Sequence, residues 1–153
     1  MATTPVPDDF TEFLRFLNDR GVEYLVIGGY AVNFHGYPRT TDDIDVWIAM
    51  RAENAERVIE ALNSFGFDDA SKARDVLLKA DQIVRMGVAP VRIEIATTIA
   101  GVDFDDCYGR RVEGELGGVT VPFISLQDLR RNKAATGRNK DLADLDELPE
   151  ADA

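Results

Sequence analysis

The sequence predicts a single domain of mixed α/β (α+β) character, with helices packed on one mixed β-sheet. Three observations predict it. The chain has 153 residues, the size of one ordinary domain, and 45% of them are hydrophobic, enough to build a core. Apolar residues at helical spacing alternate with short apolar or period-two runs, the pattern of helices laid on a sheet. No repeat, low-complexity tract or interdomain linker divides residues 1–153.

In chain order, Asp9 to Arg20 reads as a helix, because Phe10, Phe13, Leu14 and Leu17 follow the i, i+3, i+4, i+7 pattern and Gly21 can close it. Tyr24 to Ile27 is a short apolar run ending in Gly28-Gly29, the mark of a buried strand. Tyr30 to His35 reads as a short helix stopped by Gly36 and Pro38. Asp43 to Ala49 alternates: Ile44, Val46 and Ile48 share one face, and Asp43, Asp45 and Trp47 the other. Glu53 to Ser64 is helical, with Ala55, Val58, Ile59 and Leu62 on its buried stripe. Residues 68–80 carry no clear period; a short helix there, or a lid over a pocket, is open. Gln82 to Met86 and Val91 to Ala96 read as strands separated by Gly87 to Pro90. In the second, Val91, Ile93 and Ile95 face one way, Arg92 and Glu94 the other. Val112 to Leu116 and Val119 to Pro122 flank Gly117-Gly118, a hairpin signal. Ser125 opens a helix with Asp128 at the capping-box position, and Asp141 to Leu148 reads as a last short helix.

Net charge is −11 and the isoelectric point is near 4.5, which argues against broad, sequence-independent binding to nucleic acid. The charge is uneven. Residues 1–70 hold 5 basic and 13 acidic side chains, whereas five basic residues and no acidic one lie between Arg130 and Lys140. Such an island suits a small polyanion such as a triphosphate, or is a solvated helix face. The lone Cys107 excludes an intramolecular disulfide and a cysteine metal cluster, and reads as a small buried residue. Neither a signal-peptide pattern nor a membrane-length apolar run is present, so a cytoplasmic protein with no membrane association is expected.

The stretch from Tyr24 to Ile48 carries the chemistry. A buried strand delivers the chain to Gly28-Gly29, where the backbone can approach a ligand closely and a helix start can face a phosphate. Fourteen residues past Gly29, Asp43 and Asp45 emerge from one strand face. Two hard oxygen ligands side by side suit Mg²⁺, which takes one or two carboxylates plus substrate phosphates. Glu94 points from another strand with the right alternation and could supply a third carboxylate; read alone, it is a strand-surface acid paired with Arg92. Acids grouped this closely repel, so without metal at least one should hold its proton unusually tightly.

Gly28-Gly29, the helix through Ala31 and Val32, Arg39 and Asp43-x-Asp45 together resemble the signature of the DNA polymerase β-like nucleotidyltransferase superfamily. The likeness is strongest to its minimal bacterial branch, which includes nucleotidyltransferase toxins of abortive-infection (type IV) toxin–antitoxin systems. The Arg39-to-Asp43 spacing is also similar to that of aminoglycoside and lincosamide nucleotidyltransferases. The resemblance continues through Val91-Arg92-Ile93-Glu94-Ile95, Gly101-Val102-Asp103-Phe104, Ser125-Leu126-x-Asp128-Leu129, Asn132-Lys133 and Arg138-Asn139-Lys140-Asp141-x-x-Asp144.

This resemblance implies a nucleotidyltransferase fold and transfer of an NMP from an NTP to an acceptor hydroxyl with release of pyrophosphate. It implies that Asp43, Asp45 and Glu94 are catalytic and bind Mg²⁺ or Mn²⁺. Asp is commoner than Glu at the third position of that superfamily. Gly28, Gly29, Arg39, Lys133 and Lys140 would hold the triphosphate, with Asp141 and Asp144 orienting the cations. The acceptor is open among RNA such as a tRNA 3′ end, a protein and a small molecule, and a homo-oligomer or partner protein could complete its site. A second class of function is a catalytically silent, antitoxin-like binding module that keeps the fold. His35 reads as structural; Trp47 either stacks on a base or packs in the core.

Overall fold

The computed structural model describes residues 6–67, 70–88 and 91–150. Helix α1 (Asp8–Asp19) buries Phe10, Phe13, Leu14 and Leu17 completely, as their spacing requires. Strand β1 (Tyr24–Ile27) is buried on both faces, which explains its unbroken apolar run. Helix α2 (Gly28–Phe34) follows without a loop, and β2 (Asp43–Ile48) returns antiparallel to β1. Helix α3 (Ala52–Phe65) lies alongside α1. A 3₁₀ turn (Ala70–Ala73) and the one-turn α4 (Arg74–Leu77) then pack on α3, with Leu77 wholly buried. The hairpin β3 (Ile83–Val88) and β4 (Val91–Ala96) comes next, then α5 (Phe104–Gly109). A second hairpin, β5 (Val112–Leu116) and β6 (Val119–Phe123), leads into α6 (Leu126–Thr136) and α7 (Asn139–Glu147).

The six strands form one mixed sheet in the order β3-β4-β2-β1-β6-β5. The pairs β2–β4 and β1–β6 are parallel; β1–β2, β3–β4 and β5–β6 are antiparallel. Ile44, Val46, Ile48, Ile93 and Ile95 make one fully buried face in the middle of the sheet. The opposite face of the same strands carries Asp43, Asp45 and Glu94, so strand alternation separates core from chemistry.

Four expectations need adjustment. Helix α2 begins at Gly28 rather than Tyr30, so the two glycines form its first turn. Strand β3 starts one residue later than Gln82 and runs past Gly87 to Val88, pairing it with Val91; residues 89 and 90 of the expected loop lie outside the described residues. Helix α5 is not among the expected elements. Its signal is present all the same: the Asp103 side chain caps the Asp106 N–H at 3.3 Å. At α6 the Ser125 hydroxyl accepts from the Asp128 N–H at 3.1 Å, but the carboxylate of Asp128 does not complete a capping box. It is buried, and it anchors Arg110 through two bonds of 3.0 Å, tying α5 to α6.

Trp47 settles into the core. It is buried, donates from Nε1 to the Thr97 carbonyl at 3.1 Å, and meets Phe104 edge-on. His35 is structural: its Nε2 sits 2.6 Å from the Ile124 carbonyl, and burial holds its pKa below the ordinary value despite that bond. Cys107 is buried, and burial, with Asp128 beside it, pushes its thiol up to about 12. It is a thiol, not a nucleophile, near neutral pH. Among the described residues, no helix is long and apolar enough to cross a membrane.

Candidate active site

The site is assembled by strand register. Asp45 of β2 lies opposite Glu94 of β4, and Glu94 lies opposite Arg85 of β3, so one row of side chains reads Asp45–Glu94–Arg85. The next row, two residues along, reads Asp43–Arg92–Gly87. Asp45, Glu94 and Arg85 of the first row, and Asp43 and Arg92 of the second, line a cavity of about 450 Å³ whose far wall is built by α6 and α7. Six cations reach it: Arg39, Arg85, Arg92, Lys133, Arg138 and Lys140. Among the described residues of the 68–80 stretch, Ala70 to Leu77 pack on α3 and supply no residue to the cavity lining; residues 68 and 69 lie outside the described residues.

Gly28 belongs to this geometry. A Cβ there would stand 2.2 Å from Asp45 Oδ2, and φ is +69°. The glycine therefore makes room for the Asp45 carboxyl itself, beyond any approach to a ligand. Gly29 makes room for Thr41 in the same way, since its Cβ would fall 2.4 Å from Oγ1.

The carboxyls are crowded. Burial, a hydrogen bond to Glu94, and the charges of Glu94 and Asp43 push Asp45 up to about 8, with Lys140 pulling the other way. Burial also raises Glu94, but hydrogen bonds from Asp45 and Arg85 outweigh it and hold Glu94 below the ordinary value. The two carboxyls are coupled, and as a pair they hold on to one proton. The expected partner of Glu94 is replaced: Arg85 Nε lies 2.9 Å from Glu94 Oε1, while Arg92 stands 3.9 Å from Asp43. Asp43 Oδ1 is shielded from water with no hydrogen-bond donor.

The basic island is largely consumed internally. Arg130 holds the carbonyls of Leu145, Leu148 and Pro149, and Arg131 pairs with Asp128. Lys133 is 5% exposed, with its ammonium 2.8 Å from Asp141 and 3.1 Å from Asp144. Asp141 also accepts from Thr136 and Arg138. Burial opposes ionisation of Asp141, yet these bonds, led by Lys133, bring its pKa down to about 2. Asp144 in turn holds Arg39 at 3.0 Å through Nη2. So Asp141 and Asp144 orient cations, and Arg39, which arrives from the α2–β2 loop, is tied to α6 and α7. Among the described residues, Lys140 alone of the five makes no hydrogen bond or ion pair, and its charge acts on Asp45.

The structure therefore brings Asp43, Asp45, Glu94, Gly28, Gly29, Arg39, Lys133 and Lys140 to one cavity. Among the described residues no three His, Cys, Asp or Glu side chains close a metal cage. The donor set nevertheless fits Mg²⁺ or Mn²⁺, which keeps open positions for substrate oxygens. Asp43 Oδ1 is an orphaned buried acceptor, and the Asp45–Glu94 pair retains a proton that a divalent cation would displace. Sequence reasoning missed Arg85 and Arg138; register between β3 and β4 was the signal needed for Arg85.

The architecture is that of a nucleotidyltransferase. It is similar to the crystal structure of a candidate nucleotidyltransferase from Thermotoga maritima, with a TM-score of 0.61 over 94% of each chain at 17% identity, a likeness of fold. The chain belongs to the aminoglycoside-2''-adenylyltransferase family, whose model matches residues 9–148. No curated protein matches the sequence significantly. Fold and family together make the chain a nucleotidyltransferase. The match falls on the aminoglycoside side of the superfamily, which the Arg39-to-Asp43 spacing already resembled.

Proposed function

We propose that this chain transfers a nucleoside monophosphate from an NTP to a hydroxyl of a small cationic acceptor, an aminosugar of the aminoglycoside type, in a reaction that depends on a divalent metal. The observation that carries the reading is the row Asp45–Glu94, with Asp43 beside it, facing Arg39, Lys133, Arg138 and Lys140 across one cavity. Carboxylates on one wall and cations on the other suit a metal-bound triphosphate lying between them.

Asp43 and Asp45 would hold the metal, with Glu94 beside them. When bound, it supplies Lewis-acid stabilisation of the charge that grows on the phosphoryl oxygens. The chain's own residues do the rest. Lys140, Arg39 and Arg138 draw the triphosphate across the cavity mouth. Lys133, fixed by two carboxylates, supplies a preorganised charge at its floor. Glu94, set beside Asp45 by strand register, accepts the proton of the acceptor hydroxyl. The new bond joins that oxygen to the α-phosphorus, the bond from the α-phosphorus to the bridging oxygen breaks, and pyrophosphate leaves.

Acceptor chemistry follows from charge. At a net −11 the protein attracts a polycation and repels RNA. Of the five basic residues that could dock an RNA end, Arg130, Arg131, Lys133 and Arg138 have internal partners. The family to which the chain belongs is named for an aminoglycoside acceptor, which supports the same choice.

The test is transfer of label from each α-³²P-NTP, with Mg²⁺ or Mn²⁺, to an aminoglycoside panel, total RNA and soluble protein in parallel. Label in the aminoglycoside fraction, lost in Asp43→Ala/Asp45→Ala, is expected. Label confined to RNA or protein overturns the acceptor assignment and returns the toxin-like reading. No label in any fraction replaces the enzyme with a silent binding module.

A further inference from the structure

The outer hairpin places two arginines against the acids rather than against the cationic wall. Arg85 is held by Glu94 at 2.9 Å, yet its side chain is 63% exposed. Arg92 stands 3.9 Å from Asp43, beyond a hydrogen bond, and is 39% exposed. Both line the cavity from the strand edge, opposite α6 and α7. Gly87, the cross-strand neighbour of Arg92, has no side chain, so the position facing that guanidinium on the edge strand leaves room for it to swing outward. A Cβ at Gly87 would also meet the Val91 carbonyl oxygen at 2.3 Å, so the gap cannot be filled without moving the hairpin.

Each guanidinium is therefore a long, solvated arm resting on a carboxylate that divalent metal would claim. A carboxylate that binds a divalent cation loses most of its attraction for an arginine, and planar guanidinium forks are well matched to phosphate oxygens. We propose that Arg85 and Arg92 are triphosphate-binding arms of this site, parked on Glu94 and Asp43 until those carboxylates hold a metal, and then turned onto the nucleotide. The inference rests on the nucleotidyl-transfer reading of the site and deepens it: metal and triphosphate bind cooperatively, and the coupling runs through two side chains of the edge hairpin. Coupling of this kind is reciprocal. It also has an unusual sign pattern. Deleting an arm removes a competitor for the metal and a ligand for the phosphate, so metal alone should bind more tightly while the metal-loaded polyphosphate binds more weakly.

The experiment uses the full chain and two probes that need no knowledge of base or acceptor. Binding of Mn²⁺ alone is followed by electron paramagnetic resonance, and binding of inorganic tripolyphosphate by calorimetry with and without Mg²⁺. Wild type, Arg85→Gln, Arg92→Gln, Arg85→Lys and Asp45→Asn are compared, with melting temperatures confirming that each is folded. In Arg85→Gln and Arg92→Gln, Mn²⁺ affinity should rise, and affinity for tripolyphosphate with Mg²⁺ should fall about tenfold, the loss of a charge-assisted hydrogen bond. Without Mg²⁺ their tripolyphosphate affinity should stay near wild type, and Arg85→Lys should recover part of the loss. Unchanged polyphosphate binding in both Gln variants, beside a wild type whose binding requires Mg²⁺ and Asp45, overturns the arms alone. A wild type that binds tripolyphosphate identically with and without Mg²⁺, unaffected by Asp45→Asn, overturns the site reading on which they rest.

Discussion

Replacing Asp45 with asparagine should stabilise the protein, and by more at pH 7 than at pH 5. The Asp45 carboxyl titrates at about 8 in the fold, because it is buried beside Glu94 and Asp43, against an ordinary value near 3.8. A folded-state pKa raised above the unfolded one means that the native chain holds a proton the unfolded chain releases. Stability from this group is therefore intact below pH 4 and drains away as pH rises toward 8. Each pH unit within that window costs up to about 1.4 kcal/mol. Halving this for the water that reaches the cavity gives roughly 1–2 kcal/mol between pH 5 and pH 7. The introduced amide can still donate to Glu94 but carries no titrating proton, so the variant escapes the loss. For a chain of this size 1 kcal/mol moves Tm by about 2–4 °C. The gap in Tm between variant and wild type should then widen by about 2–8 °C from pH 5 to pH 7, measured by thermal melts in EDTA. His35, whose folded pKa is lowered, works in the opposite direction but is common to both proteins and cancels in the difference. A gap that stays constant or narrows with rising pH would refute the crowded, proton-sharing pair.

Gly28→Ala combines a positive φ with a collision against Asp45, so a loss of about 2–4 kcal/mol is expected in chemical denaturation. Gly109→Ala, where a Cβ meets nothing within 4 Å, should stay within about 0.5 kcal/mol of wild type. Asp144→Asn strips one carboxylate from both Arg39 and Lys133, and should lower stability by about 3 kcal/mol and raise KM for the NTP several-fold. Trp47→Phe leaves the Thr97 carbonyl without its buried donor; a cost of about 1–3 kcal/mol with unchanged KM for the NTP is expected, since Trp47 packs in the core. Addition of Mg²⁺ at pH 7 should raise the Tm of wild type and leave that of Asp43→Ala/Asp45→Ala unmoved, as followed by differential scanning fluorimetry.

The parts of this fold that were legible are those in which a single element's period decides burial. The stripe Phe10, Phe13, Leu14, Leu17 and the alternation from Asp43 to Ile48 each fix a face with no knowledge of neighbours, so α1, β2 and the outward direction of the paired acids could be read directly. The site was legible for the same reason: period two places Asp43 and Asp45 on one side, and Arg92 and Glu94 on one side of another strand. What could not be read was which strand lies next to which. The row Asp45–Glu94–Arg85 exists because β2 pairs parallel with β4 and β4 antiparallel with β3, and no local pattern records that register. The same gap hid Arg85, the arginine that Glu94 hydrogen-bonds. Trp47 was ambiguous because it shares a face with the carboxylates; the neighbour that buries it, Phe104, sits on α5, a helix too short to announce itself by period. The internal pairing of the basic island could not be read because its acidic partners are distributed: Asp128 lies within the same helix, and Asp141 and Asp144 one helix later.

The most direct test of the central claim is the fate of two labels from one nucleotide. ATP carrying ³²P at the α position, and separately at the γ position, is incubated with the protein, Mg²⁺ and an aminoglycoside. Nucleotidyl transfer predicts that the α label moves to the acceptor while the γ label emerges in pyrophosphate, and that both events vanish in Asp43→Ala/Asp45→Ala. Arrival of the γ label on the acceptor, or acceptor labelling that survives loss of both aspartates, would contradict it.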